Sequence, residues 1–300
     1  MPARLAPYFC SLLFLQPEAK ITAMPNGFAR FLAVAAFALY YVADSPLVPQ
    51  TETAEWVARQ ADKRDVGKDG TFELKMRLFD RQQRVREREL AIRTLRPQST
   101  GGTSTKPGGE GDRMLIRFTY PNDIKGTAFL VWEHPEGEDE RFLYLPALGR
   151  VRRITGAEAQ DSFVGSDFTY EDISGREVGD YTYTMVEQSG TWSGPDGKPV
   201  PVYRIESRAK DTQARFPRVV STIRKDNFVV VHADIYNRRD EKQKVYEVRG
   251  LELVQSIWTL SEVVMTDTSA KTHTDLSLTN VRYNIGLKES DFSRRELEGK

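Results

Sequence analysis

Apolar and polar residues alternate along most of the chain from residue 71 onward. Over 72–78 an apolar side chain occupies every second position and charged side chains lie between them, which is the period of a β-strand with one buried face. A second run over 84–96 follows across the polar segment 80–83, so the two runs predict a hairpin. Further short runs follow at close spacing, and they predict strands over 114–118, 127–132, 141–145, 151–155, 181–187, 202–207, 219–224, 229–236, 243–248, 258–266 and 272–283.

Helical spacing is confined to short segments near the two ends of this strand-rich region. Apolar residues over 54–61 follow a helical period, and Thr51 or Thr53 is placed to cap the helix. The tail 291–297 indicates a final short turn or helix. Short strands at regular spacing predict a mainly β fold in which one antiparallel sheet curls into a barrel or sandwich. No βαβ pattern is visible, which argues against a dinucleotide-binding fold.

The N-terminal region has the pattern of a secretory signal. Arg30 precedes an apolar run that ends in small residues near Ala43, as in segments that direct export and are then cleaved. The run is short against the roughly 20 apolar residues of a membrane-spanning helix, so an uncleaved anchor is the weaker alternative. We therefore predict an N-terminal extension and signal over 1–43, cleaved near Ala43, and a single domain over 44–300. Met24 opens a more conventional signal and is an alternative start.

Composition narrows the classes of chemistry. The 43 basic and 43 acidic residues balance and are mixed along the chain, so the electrostatic footprint of a nucleic-acid-binding protein is lacking. Cys10 is the single cysteine, and it lies in the extreme N-terminal segment. His134, His232 and His273 are scattered, whereas a metal site needs clustered ligands. We expect no metal, no cofactor and no catalytic residues, because the sequence also lacks a nucleophile motif.

The segment 126–173 combines basic, acidic and aromatic residues in a specific pattern. Arginine side chains opposite carboxylates could pin a loop to the sheet through charge-assisted hydrogen bonds, and solvation of these charges on one strand face is the alternative. The structural charges of this motif are Arg150, Arg152, Arg153, Asp167 and Asp172.

Aromatic residues of the same region could form the wall of an apolar ligand cavity on the concave face of the sheet. Filling of an ordinary β core is the alternative for each of these residues. The predicted cavity residues are Phe129, Trp132, Phe142, Tyr144, Phe163, Phe168 and Tyr170.

Three segments closely resemble the LolA-like outer membrane lipoprotein-sorting proteins of bacteria. They read Gly-Thr-Ala-Phe-Leu at 126–130, Leu-Tyr-Leu-Pro-Ala-Leu-Gly-Arg-Val-Arg-Arg-Ile at 143–154, and Phe-Val-Gly-Ser-Asp-Phe-Thr-Tyr-Glu-Asp at 163–172. The resemblance extends from about Thr51 to the C-terminus. It implies a strongly curved antiparallel sheet that forms an incomplete, half-open β-barrel, with a few short helices as plug or lid. It also implies a periplasmic location and an apolar cavity that shields acyl chains.

The first functional hypothesis is therefore a non-enzymatic periplasmic carrier or chaperone for the acyl chains of a lipoprotein or lipid. Such a carrier would receive its cargo from an inner-membrane exporter or pass it to an outer-membrane acceptor. The alternative is a structural or interaction subunit of an envelope lipid-export complex, with a cavity filled by its own side chains. A lipid hydrolase ranks last, because no Ser, His and Asp set is visible as a motif.

Overall fold

The computed structural model describes residues 52–97, 111–134 and 137–299. Its main feature is one antiparallel sheet of thirteen strands in the order β6-β5-β4-β3-β2-β1-β13-β12-β11-β10-β9-β8-β7. The strands are β1 (Asp69–Phe79), β2 (Val85–Leu95), β3 (Arg113–Tyr120), β4 (Ala128–Trp132), β5 (Glu140–Leu145), β6 (Arg150–Ile154), β7 (Tyr181–Ser193), β8 (Pro199–Ala209), β9 (Arg218–Arg224), β10 (Val230–Tyr236), β11 (Lys242–Val254), β12 (Ile257–Asp267) and β13 (Thr272–Tyr283). Each predicted strand corresponds to one of these, so the mainly β prediction is confirmed.

Two meanders make up the sheet, and they meet in its middle. Strands β1 to β6 run outward to one edge, the chain then crosses to the other edge, and β7 to β13 return until β13 pairs with β1. The register places Leu74 opposite Leu278 and Met76 opposite Leu276. Strands β6 and β7 remain the two edges, so the sheet is open and not closed into a barrel.

The core shows that the sheet curves around its own buried face. One group of buried side chains, here called the central cluster, joins Phe129 and Ile154 from one arm of the sheet to Val219 and Val231 from the other. Side chains at opposite ends of a flat sheet of this width could not meet. Burial of apolar area on this single face therefore holds the curved sheet together.

The connection between the two arms fills the interior. It contains short 3-10 turns and the helix α2 (Tyr170–Ser174). Phe163 is fully buried there, and its ring centroid lies 5.6 Å from that of Phe129 and 5.4 Å from that of Tyr170. Edge-to-face aromatic contacts of this kind add to the burial of area. This plug segment, residues 155–180, lies in the chain between the two edge strands β6 and β7.

Two more helices cover other parts of the sheet. Helix α1 (Ala54–Lys63) begins at Thr53, whose hydroxyl accepts a hydrogen bond from the backbone N–H of Trp56 at 3.1 Å; Thr53 is thus the cap. Its Val57 is fully buried against the β8 and β9 region. Helix α3 (Arg294–Glu298) confirms the predicted helical tail, and its Leu297 packs on the outer face of the sheet beside Phe292 and Leu130.

Some predictions fall on other parts of the chain. The signal, its cleavage near Ala43 and Cys10 lie outside the described residues, and the division at residue 43 stays a prediction. Among the described residues, no helix is long and apolar enough to span a membrane.

Candidate functional site

A cavity of about 480 Å³ lies on the same face of the sheet as the central cluster. Its volume is in the range of small-molecule pockets. Two segments contribute to its lining beside the strands, 62–67 at the C-terminal end of helix α1 and 172–177 around the end of α2. The apolar lining residues on the strands come from both arms of the sheet, and Val66 and Ile173 of the two segments add to them. Those on the strands are Phe72, Leu95, Met114, Val131, Trp258, Leu260, Val263 and Leu278. An apolar floor of this kind can cover a hydrocarbon chain.

Paired charges form a polar wall of the cavity. Arg96 Nε lies 2.8 Å from Asp112 Oδ2, and Arg176 Nη2 lies 2.8 Å from Asp172 Oδ1. Asp172 also accepts a hydrogen bond from the backbone N–H of Thr169 at 2.9 Å, which closes a capping box at the start of α2. Burial alone would raise the pKa of Asp172, but Arg176 and the Thr169 N–H outweigh burial and lower that pKa. Asp172 is therefore an ionised anchor of the wall.

Glu133 differs from these paired groups. Burial, followed by the nearby carboxylates of Asp112, Asp139 and Glu177, raises the pKa of Glu133 from its ordinary value of 4.5 to about 8. Both causes disfavour the charged form. Glu133 is therefore largely protonated at neutral pH, and its carboxyl can donate a hydrogen bond into the cavity.

Arg64 ends helix α1 as its C-terminal cap and also lines the cavity. It is half-buried, and burial is the main cause that lowers the pKa of its guanidinium. Arg113, in contrast, has its guanidinium satisfied by Glu289 Oε2 at 3.1 Å and by the Glu133 carbonyl at 3.0 Å.

Comparisons with known proteins give the family. A family model described only as an uncharacterized protein matches residues 110–299. The crystal structure of a DUF1329 family protein from Desulfovibrio piger is similar with 28% identity and a TM-score of 0.70, over 81% of this chain and 97% of that one. An outer membrane lipoprotein-sorting protein domain from Vibrio parahaemolyticus is similar with 26% identity and a TM-score of 0.70, over 82% and 98%. This chain belongs to a LolA-like family.

A LolA superfamily protein from Nitrosomonas europaea shares the fold alone, with 14% identity and a TM-score of 0.59, over 80% of this LolA-like chain and 97% of that one. The sequence matches no curated protein.

The aromatic residues predicted to line a cavity lie on both faces of the sheet of this LolA-like protein. Phe129, Phe163, Phe168 and Tyr170 belong to the central cluster. On the outer face, Trp132, Phe142 and Tyr144 pack near Phe292 under the C-terminal segment, and the Arg294 guanidinium lies 4.2 Å from the Phe142 ring centroid. The 480 Å³ cavity is lined by other described residues. A ligand-binding role for the seven stays a prediction.

Strand period explains this division. Residues an odd number of positions apart on one strand point to opposite faces, as Phe129 and Trp132 do on β4. The alternation of Phe142, Leu143 and Tyr144 on β5 carries the same information. The alternation along each strand therefore contained the information on which face each aromatic residue occupies.

The predicted structural charges have specific partners. Asp167 fastens the plug segment to β13, because its carboxylate accepts hydrogen bonds from the hydroxyls of Thr272 and Thr274, the latter at 2.7 Å. The Lys244 ammonium on β11 donates to the Asp167 carbonyl. The plug segment is thus tied to the sheet at Asp167, and the side chains that bind it there are two threonines and a lysine.

The three arginines of the motif lie on the edge strand β6. Arg152 Nη1 pairs with Glu158 Oε1 at 2.7 Å, while Arg150 and Arg153 are exposed. Asp172 pairs with Arg176, as described above.

The histidines are far apart in the described part of the chain. His134 Nε2 lies 3.3 Å from Glu140 Oε2, His232 Nε2 lies 3.4 Å from Asp234 Oδ1, and the His273 ring stacks on Phe79. No three His, Cys, Asp or Glu residues of the described segments are placed to hold a metal ion.

Proposed function

We propose that this protein is a non-enzymatic periplasmic carrier that shields the acyl chains of a lipoprotein or lipid on their way toward the outer membrane. The observation that carries the proposal is the cavity, which joins an apolar floor from both arms of an open sheet to a polar wall. The lipoprotein-sorting domain from Vibrio parahaemolyticus supports the cargo class. That relative and the signal predicted over 1–43 support the periplasm, and an inner-membrane exporter or outer-membrane acceptor is the proposed partner.

The physical argument is the cost of exposing hydrocarbon to water. Each buried methylene is worth roughly 0.8 kcal/mol, so a chain crossing an aqueous compartment needs an apolar cover. Phe72, Leu260 and Leu278 supply such a surface from three different strands. Segments 62–67 and 172–177 line the same cavity, and small shifts in them would admit or release a chain.

Quenching of Trp258 fluorescence tests the proposal, because this indole lines the cavity. A bromine-labelled dodecanoate added to the full 300-residue chain should quench its emission saturably. A Trp258→Phe variant should lose most of that quenching, since Trp56, Trp132 and Trp192 do not line the cavity.

A matched pair of variants locates the binding. Val263→Phe narrows the cavity from its floor, whereas Val186→Phe makes the same change at a position of edge strand β7 that is 49% exposed. We expect about tenfold weaker binding for the first variant and no change for the second. Leu260→Phe replaces Val263→Phe if the latter does not fold. Unsaturable quenching, or equal binding by the matched pair, would contradict the carrier proposal.

The alternative, a structural or interaction subunit, is favoured by the filling of much of the interior with the protein's own side chains. Phe163 and Phe129 are fully buried in contact with each other. A wild-type protein that binds no acyl probe and carries no lipid would support this alternative.

A further inference from the structure

Arg64 is the arginine of the cavity lining that has no ion-pair partner among the described residues, whereas Arg96, Arg113 and Arg176 each pair with a carboxylate. The electrostatic neighbours of Arg64 are Tyr246, Arg96, Tyr283 and the exposed Asp62, in order of decreasing influence. Arg64 is therefore a half-buried cation with no ion-pair partner beside an apolar floor.

The acidic residues of the lining, which include Asp62 and Glu177, form no ion pair with Arg64 among the described residues. Arg96 is held by Asp112 at 2.8 Å, and it also donates to the Arg64 carbonyl at 3.5 Å, so it adds positive charge beside Arg64. Asp172 is bound by Arg176 at 2.8 Å. The pKa of Glu133 is raised to about 8, so its carboxyl carries little negative charge at pH 7.

A partly buried cation without a partner is costly, and a ligand that supplies an anion removes this cost. The planar guanidinium fork matches carboxylate and phosphate oxygens in particular. Tyr246 lies close by, and burial raises its pKa, so its hydroxyl stays protonated as a neutral neighbour.

We propose that Arg64 binds the anionic head group of the cargo, so that the cavity takes an acyl or alkyl chain ending in a carboxylate or phosphate. This inference rests on the carrier function proposed above and narrows its ligand class. Phe72, Trp258 and Leu278 would cover the chain while the head group meets the guanidinium at the cavity wall.

Two probes of equal chain length test the head group. Bromine-labelled dodecanoate and its methyl ester are added in increasing amounts at pH 7.5 while Trp258 fluorescence is measured. A bromine-labelled dodecyl phosphate then distinguishes a phosphate head group from a carboxylate. We expect the wild-type protein to bind the carboxylate about tenfold more tightly than the ester, the size of one charge-assisted hydrogen bond. The same preference for the phosphate would extend the ligand class to phospholipid head groups.

Variants on one helix assign the preference to Arg64. Arg64→Met keeps the aliphatic stem and should bind both probes as weakly as the wild type binds the ester. Arg59→Met is the control, because Arg59 lies on the same helix, is exposed and pairs with Glu55 at 2.7 Å; it should keep the preference. If Arg64→Met does not fold, Arg64→Lys replaces it and should retain only part of the preference.

The outcomes separate the two proposals. Equal wild-type binding of carboxylate and ester, or a preference that survives Arg64→Met, would overturn the role of Arg64 and leave the carrier function standing. Failure of every probe to quench Trp258 would overturn the carrier function itself.

Discussion

Glu133 should make the protein less stable as the pH rises. The perturbation is Glu133→Gln, which keeps the shape and hydrogen-bonding capacity of a protonated carboxyl and cannot ionise. In the folded protein burial and the carboxylates of Asp112, Asp139 and Glu177 raise the pKa of Glu133 from 4.5 to about 8. The unfolded chain lacks these surroundings.

The sign follows from proton binding. Between pH 4.5 and about 8 the folded state keeps the proton on Glu133 and the unfolded state has lost it, so folding stability contributed by this group falls as the pH rises. At about 1.4 kcal/mol per pKa unit, the difference between the two pKa values corresponds to a loss of about 5 kcal/mol in the free energy of unfolding. Screening of the charges at the effective dielectric constant of a protein interior lowers this figure, and we expect on the order of 2 kcal/mol.

Urea unfolding at pH 4.5, 6, 7.5 and 9 measures this effect. The free energy of unfolding of Glu133→Gln should match that of the wild type near pH 4.5 and exceed it by about 2 kcal/mol at pH 9. Glu138→Gln removes an exposed charge from the same loop and is the control. A constant difference between Glu133→Gln and wild type across this range would refute the reasoning, as would an equal gain from the control.

Two further predictions concern the plug segment. Phe163→Ala should lower the free energy of unfolding by about 3–5 kcal/mol, because it empties a fully buried site between Phe118 and Phe129; a loss below 1 kcal/mol in urea unfolding would count against this packing. Asp167→Lys should cost about 3 kcal/mol, because it removes the acceptor of the Thr272 and Thr274 hydroxyls and brings a second cation toward Lys244; an unchanged melting temperature would show that this anchor is dispensable.

The strands could be predicted because their information is local. Alternation marks strands such as β1, a short apolar run marks β4, and short turns favour pairing between neighbours. Helix α2 was missed, since five residues are too few for a helical period. The Thr169 and Asp172 spacing of its capping box was nevertheless present in the sequence.

The cavity could not be predicted in the same way. Phe72, Met114, Trp258 and Leu278 meet only because β1 pairs with β13 and the sheet curves. The density of aromatic residues over 126–173 led to the predicted cavity. A buried cluster and a cavity wall are, however, both rich in aromatic residues, so the sequence pattern does not distinguish them. The position of Arg64 likewise depends on how helix α1 docks.

The carrier account is tested most directly by native mass spectrometry of the protein purified from the periplasm of bacteria that express the full chain, together with mass spectrometry of its organic extract. We predict a stoichiometric amphiphile with an acyl chain and an anionic group, released on denaturation. An empty protein that also fails to take up acyl probes would contradict the account and favour the interaction subunit.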